Sequence, residues 1–183
     1  MDREAAIELC RTKTEKETTV RHLISVEGVM RALARRFGED EDLWALTGMF
    51  HDLDQDQTQD DPDRHAYLAA EWLREAEVDE RVVNGVLAHA HEQFRTDRMS
   101  KAVVHADAVA GLLVAAALVR PEKAVGMKVS SVRKKLKEKA FAPGVNRDEV
   151  TSVEGSIDLP LDEFLAVGIE GLQSVAPEIG LAP

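Results

Sequence analysis

The residues of this sequence with the clearest chemical potential are a neighbouring pair, His51-Asp52, at the end of an apolar, helix-like run. Other side chains of the same two types lie on both sides of the pair: His22, His65, His89, His91 and Asp107. Borderline divalent metals favour imidazole, and a carboxylate adds negative charge and can bridge two ions. These residue types therefore indicate a metal centre of the kind that hydrolytic enzymes use.

Helices must position these side chains, because the apolar residues recur at helical spacing and no sustained strand-like alternation is present. His22 begins the apolar stripe of a helix that is expected to end at Gly38. His65 begins a second stripe, and His89 ends a third, which favours His89 over His91 as the inward-facing residue. His91 is expected either at the surface or at a pocket mouth. Taken singly, each histidine is also explained as an ordinary core residue.

The pair His51-Asp52 lies at the end of the next predicted helix. Adjacent helical residues point about 100° apart, so both side chains can reach one ion only at the helix end or between helices. The acidic run that follows is typical of a solvated loop, and Pro62 is expected to begin the helix that carries His65. Asp54 is the exception in this run, because its position two residues after Asp52 suits a residue that orients a ligand or carries a proton.

Asp107 falls in the most apolar predicted helix, which runs from about Lys101 to Val119 with Ser100 as its expected N-cap. An ionised carboxylate in apolar surroundings costs several kcal/mol unless it is paired or binds a metal. A metal, or a distant Arg or Lys, is therefore its expected partner. His105 lies on another face and is interpreted as structural. Because it contains these two polar residues, the helix is expected in a protein core rather than in a membrane.

Composition bounds the function classes. The 183 residues suit one domain across the chain, with a C-terminal helical extension from about residue 121, and the hydrophobic content of 44% argues against disorder. The net charge of −11 argues against nonspecific binding to nucleic acid or to anionic membranes. Cys10 is the only cysteine, which fits a reducing compartment, and the first four residues are too charged for a signal peptide. The expected location is cytoplasmic.

The charge is not uniform along the chain. From Arg120 to Arg147 there are nine Lys and Arg against two acidic residues, a local charge of +7, and the remainder carries 14 Lys and Arg against 32 acidic residues. Such a run is usually a solvated helix face. The alternative is a site for substrate phosphate, for which Lys128, Arg133 and Lys134 are the candidates.

The ordered set of His22, His51-Asp52 and Asp107 resembles the motif of the HD-domain superfamily of metal-dependent phosphohydrolases. His65 and His89 match those members that hold a second metal. Three later segments are similar to a subfamily of short predicted HD hydrolases of undefined substrate: Ala117–Pro121, Ser131–Lys135 and Lys139–Arg147. The resemblance covers about residues 15 to 175.

The resemblance implies an all-α bundle of about five core helices around one or two divalent metal ions. The first ion would be held by four side chains: His22, His51, Asp52 and Asp107. Asp52 would bridge to a second ion on His65 and His89. The implied metals are iron, manganese, zinc, nickel and cobalt, with magnesium as a further option.

The implied reaction is hydrolysis of a phosphoester or phosphoanhydride of a small phosphorylated substrate, nucleotides included, by hydroxide that the metal activates. His51, Asp52 and Asp54 would be the catalytic residues, and His91, with the three cations named above, would contact substrate. This chain has His-Asp-Leu-Asp where His-Asp-Ile-Gly is common, and it lacks the Gly-Tyr-Pro signature of cyclic-dinucleotide phosphodiesterases. Substrate identity therefore does not transfer.

Two rival functions remain open at the level of sequence. A di-iron HD-type oxygenase uses the same ligands, and a signalling module would hold metal and nucleotide without turnover. No DNA or membrane partner is expected, and the oligomeric state is left open.

Overall fold

The computed structural model describes residues 1–183, which fold into eleven α-helices and one 3-10 turn without a β-strand. The first six helices are α1 (Arg3–Lys13), α2 (Glu17–Phe37), α3 (Glu41–Phe50), α4 (Gln55–Thr58), α5 (Tyr67–Glu75) and α6 (Glu80–Ala90). The others are α7 (Arg98–Leu118), α8 (Val129–Lys137), α9 (Arg147–Thr151), α10 (Val153–Ile157) and α11 (Leu161–Val175). The all-α fold predicted from the apolar spacing is confirmed.

The apolar core has two parts. The larger part joins α2 and α7 to the C-terminal helices, and the smaller part joins α1, α3, α5 and α6. Helix α7 is long and apolar enough to cross a membrane by composition, but 67% of its apolar window is buried inside the protein. Its hydropathy is therefore explained by its place in the core.

Two glycines allow the helices that carry the candidate ligands to approach closely. A Cβ atom on Gly48 of α3 would lie only 2.8 Å from the carbonyl oxygen of Val26 in α2. A Cβ atom on Gly85 of α6 would lie 2.5 Å from Cγ2 of Thr47 in α3. These contacts lie about one helical turn from the candidate ligands. The two glycines therefore allow α2, α3 and α6 to pack closely at the site.

The helix that follows the acidic run begins later than expected. Pro62 does not begin it, because Ala66 adopts a left-handed backbone conformation with φ of 65° and α5 starts only at Tyr67. His65 consequently lies on the preceding turn rather than on the helix. Asp97, and not Ser100, caps α7, although Ser100 completes the capping box from the third helical position.

Candidate metal centre

Three of the side chains predicted as ligands meet where α2, α3 and α7 come together. Nε2 of His22 lies 2.9 Å from Oδ1 of Asp107 and 3.2 Å from Nε2 of His51. Nε2 of His51 lies 3.6 Å from the same Asp107 oxygen. The donor atoms of these three residues all lie within 4.8 Å of one another, which is close enough for one ion to reach them together.

A second group of ligand candidates surrounds Asp52. Its Oδ1 atom lies 3.2 Å from Nε2 of His65 and 3.2 Å from Nε2 of His89. Its Oδ2 atom lies 3.7 Å from Nε2 of His51, on the side of the first group. The two oxygens of Asp52 thus face different histidines, which is the arrangement that a bridging carboxylate needs.

Hydrogen bonds to the far side of two imidazoles set the direction of their lone pairs. Nδ1 of the buried His51 donates to the carbonyl oxygen of Gly48 at 2.7 Å. In the neutral ring Nε2 then carries the lone pair, and it faces the carboxylates of Asp52 and Asp107. A lone pair and two carboxylates repel one another, so a cation between them, either a proton or a metal ion, stabilises this arrangement.

Asp54 orients the ring of His65 in the same way, with Nδ1 held on the far side and Nε2 directed at the centre. The carboxylate of Asp54 is fully buried and lies 2.9 Å from Nδ1 of His65, and its other oxygen accepts from the backbone N–H of Ala69 at 2.9 Å. Nε2 of His65 is thereby directed at Asp52. A carboxylate behind a ligating histidine is a common way to fix its tautomer and raise its basicity.

Two buried side-chain atoms of the centre lack a hydrogen-bond partner. One is Oδ1 of Asp52, whose 3.2 Å contacts with His65 and His89 do not have the geometry of hydrogen bonds, and the other is Nδ1 of His89. An unsatisfied buried polar atom costs about 1–3 kcal/mol, so native structures rarely keep one without a reason. A divalent cation would supply a partner for Asp52 at the place where imidazole nitrogens also converge. The donor set and the unpaired oxygen of Asp52 therefore fit a bound metal.

The charges of the centre shift its titration strongly. Burial opposes a positive charge on His51, but the carboxylates of Asp52 and Asp107 outweigh it and raise the pKa of His51 to about 9. Burial likewise opposes the charge on His65, whose pKa is raised to about 10 by Asp52 and Asp54. Although burial disfavours both anions, the histidines hold the pKa values of Asp52 and Asp107 well below the usual range. Without metal, the centre therefore holds protons in its place at neutral pH.

The part of the chain that carries this arrangement matches a known protein family. The family model of the HD domain matches residues 19–120, more than half of the chain. The chain belongs to the HD domain family. The HD domain indicates a superfamily of metal-dependent phosphohydrolases, and the matched range contains every side chain of the centre described above.

A curated relative of this HD domain is named ribonuclease Y, from Sulfurovum sp. (strain NBC37-1). It is 30% identical over 88 residues, which are 48% of this chain but only 17% of the relative. The chain thus corresponds to a small part of that protein. No solved structure shows significant similarity to the chain.

Two further histidines of the HD domain have contacts outside the group of ligands. Nε2 of His91 donates to the carbonyl oxygen of His65 at 3.0 Å, and its ring lies 4.3 Å from that of Tyr67. His91 therefore supports the turn that carries His65. It does not line either of the two cavities that adjoin His22, which have volumes of about 340 and 250 Å³. Nδ1 of His105 donates to the carbonyl oxygen of Glu149, which agrees with its interpretation as structural.

A cavity of about 340 Å³ opens beside His22 and Asp107. The rest of its lining comes from α7 and from the segment before and within α9: Ala108, Gly111, Ala142, Gly144, Val145, Asn146 and Glu149. Asn146 and Glu149 were not among the site residues predicted from the sequence. A lone polar residue in a polar segment has no periodic pattern that would have marked it.

The three cations predicted as phosphate ligands lie elsewhere. Arg133 pairs with Asp162 at 2.7 Å, and Lys134 lines a separate cavity of about 240 Å³. Lys128 is exposed at the position that precedes α8. The reason is that α8 buries Val132 and Leu136 and turns its basic face outward. None of the three lines the cavity beside Asp107, so the structure does not bring them to the metal centre.

Proposed function

We propose that this protein is a metal-dependent phosphohydrolase that cleaves a phosphoester or phosphoanhydride of a small phosphorylated molecule, nucleotides included. The observation that carries the proposal is the position of Asp52, whose two oxygens are divided between His51 on one side and His65 and His89 on the other. Membership of the HD domain family supports the same reaction class.

The proposed ligands fall into two sets that share one residue. His22, His51, Asp52 and Asp107 would hold a first ion. Asp52, His65 and His89 would hold a second. The nitrogen-rich donor set favours iron, manganese, zinc, nickel or cobalt over magnesium, which prefers oxygen donors. Bound in such a site, a divalent metal lowers the pKa of water toward about 7 and stabilises negative charge on phosphoryl oxygens.

The residues of the chain contribute orientation and charge to this reaction. The Gly48 carbonyl and the Asp54 carboxylate keep the rings of His51 and His65 in the orientation that ligation needs. Asp52 and Asp107 remain ionised at neutral pH because the histidines lower their pKa values. The cavity beside His22 and Asp107 would be the route by which a phosphorylated substrate reaches the centre.

The proposed location is the cytoplasm, and the proposed partner is a small phosphorylated molecule rather than DNA. The only cysteine, Cys10, is buried, and burial raises the pKa of its thiol to about 12. A chain with one cysteine cannot form an intrachain disulfide, which is typical of proteins from reducing compartments.

The test compares wild-type protein with Asp52→Ala and with Asp60→Asn, a control that removes an exposed carboxylate from the acidic run. All three are purified without added metal or chelator. Metal per chain is measured by mass spectrometry, and phosphate release is measured with p-nitrophenyl phosphate, bis-p-nitrophenyl phosphate and nucleoside mono-, di- and triphosphates. Asp52→Ala is expected to lose metal and turnover together, and Asp60→Asn to keep both.

Each rival function has its own outcome in this experiment. Turnover that persists after complete metal removal would overturn the proposed mechanism. A nucleotide that binds but remains intact for hours would favour a signalling module. Iron in the purified protein, with a product that forms only in oxygen, would favour an oxygenase.

A further inference from the structure

One wall of the cavity beside Asp107 is built by residues beyond the range that the HD domain model matches. The match ends at residue 120, whereas five lining residues lie between Ala142 and Glu149. They overlap the segment Lys139–Arg147, whose sequence has no role in the proposed metal centre. We call residues 139–149 the wall segment.

The wall segment is fixed by a single arginine. The guanidinium of Arg147 donates to five backbone carbonyl oxygens, those of Leu136, Glu138, Phe141, Ala142 and Val145. Arginine has five N–H groups in a rigid planar fork, so this pattern uses the whole side chain to hold a loop in one shape. Ala142 is kept in the left-handed region with φ of 44°. Strain of this kind persists only where the surroundings determine the conformation.

Glu149 is also held at its backbone. His105 of α7 donates to the backbone carbonyl oxygen of Glu149. The backbone N–H of Glu149 donates to the side-chain oxygen of Asn146, which caps α9. The carboxyl of Glu149 is partly buried in the cavity lining. Burial and the nearby charge of Asp107 raise the pKa of this carboxyl.

The chemistry of the lining limits what can occupy it. Asn146 and Glu149 present an amide and a carboxylate, and no Lys or Arg lines the cavity. Cations are the usual partners of phosphate groups in proteins, so the absence of Lys and Arg and the presence of a carboxylate disfavour a second phosphate here. A carboxylate accepts hydrogen bonds from hydroxyl and amine groups. The volume of about 340 Å³ lies within the range of sites for small molecules.

Resting on the proposed function, we propose that Glu149 and Asn146 select the substrate by hydrogen bonding to hydroxyl or amine groups on the uncharged part of the molecule that carries the phosphate. Arg147 and His105 are the positioning residues that hold the wall segment in place for this recognition. The proposed ions would bind the phosphate, and the wall segment would read what the phosphate is attached to.

The test uses two esters that differ only in their hydroxyl groups, glycerol 3-phosphate and propyl phosphate. Metal-loaded wild-type protein is compared with Glu149→Met, Glu149→Gln and Asp148→Asn. Asp148→Asn is the matched control, because Asp148 is exposed, adjacent in sequence and absent from the cavity lining. For each protein, kcat/KM is measured by phosphate release and Kd by calorimetry, and thermal melting verifies folding.

Wild-type protein and Asp148→Asn are expected to prefer glycerol 3-phosphate. Glu149→Met is expected to lower that preference by at least about tenfold, because a partly buried hydrogen-bond acceptor is lost. Glu149→Gln, which keeps an acceptor oxygen, is expected to retain most of it. If the wild-type protein shows no preference for glycerol 3-phosphate, or if Glu149→Met leaves that preference unchanged, the inference is overturned. The proposed function still stands in that case, provided that hydrolysis is observed. Absence of hydrolysis, together with a Kd preference that Glu149→Met removes, would overturn the hydrolytic function and support the recognition.

Discussion

The Nδ1 atom of His65 lies 2.9 Å from a carboxylate oxygen of Asp54, on the side of the ring opposite to Asp52. The contact joins a turn to the acidic run eleven residues earlier in the chain. The contact therefore determines how His65 faces the centre. Asp54 itself is not placed to bind an ion, because one of its oxygens contacts His65 and the other accepts from the backbone N–H of Ala69.

The first prediction concerns this contact. Asp54→Asn replaces the carboxylate behind His65 with a neutral amide, so the ring loses basicity and its fixed orientation. Loss of such a partner typically costs about 10- to 100-fold in metal affinity. We expect metal per chain to fall toward the value for one ion, measured by mass spectrometry after dialysis, because the ligands around His22 and Asp107 are untouched. A metal content that stays at the wild-type value, or that falls to zero, would contradict this assignment of the second ion.

The second prediction concerns the close approach of α2 and α3. Gly48→Ala places a methyl group 2.8 Å from the Val26 carbonyl oxygen, which is backbone and cannot rotate away. Overpacking of this kind costs about 1–3 kcal/mol in the free energy of unfolding, which urea denaturation measures. It should also weaken metal binding, because separation of the helices moves His22 away from His51. The control is Gly155→Ala, where a Cβ meets nothing within 4 Å; it should leave the protein as stable or slightly more stable.

The third prediction concerns the buried carboxylate of Glu27. Arg3 donates to both of its oxygens at 2.8 Å, which ties α1 to α2. Arg3→Met should reduce the free energy of unfolding by about 3 kcal/mol, because removal of one partner leaves a buried charge. The control Arg81→Met breaks an exposed pair with Asp79, for which about 0–1 kcal/mol is expected. Equal effects in the two variants would mean that Arg31, 3.5 Å from Glu27, compensates for the loss.

Much of the helical scaffold could be predicted because its determinants are local. Asp40 and Asp79 cap α3 and α6, and Gly38 ends α2 in the left-handed conformation, as their residue types indicate. The start of α5 could not be predicted from local sequence. The turn that carries His65 depends on contacts with Asp54 and His91, which are distant from it in the chain.

The structure also brings together all six side chains that the resemblance implied as ligands. The residues that line the substrate side of the site could not be predicted from the sequence. A run of basic residues does not reveal whether its face is covered, and α8 turns Arg133 and Lys134 away from the metal centre. Glu149 enters the lining only through the fold of the wall segment.

The last prediction is a dependence of metal binding on pH. The pKa values of His51 and His65 in the metal-free protein are raised to about 9 and about 10, so both rings are positively charged at pH 7, with a proton on each nitrogen. A metal ion must displace these protons, because only a deprotonated nitrogen can ligate. Apparent affinity should therefore increase as pH rises from 6 to 9, with proton release seen as a dependence of the calorimetric heat on the ionisation enthalpy of the buffer. Binding heats that are the same in all buffers would show that the histidines are already neutral and that their lone pairs face the carboxylates unprotonated.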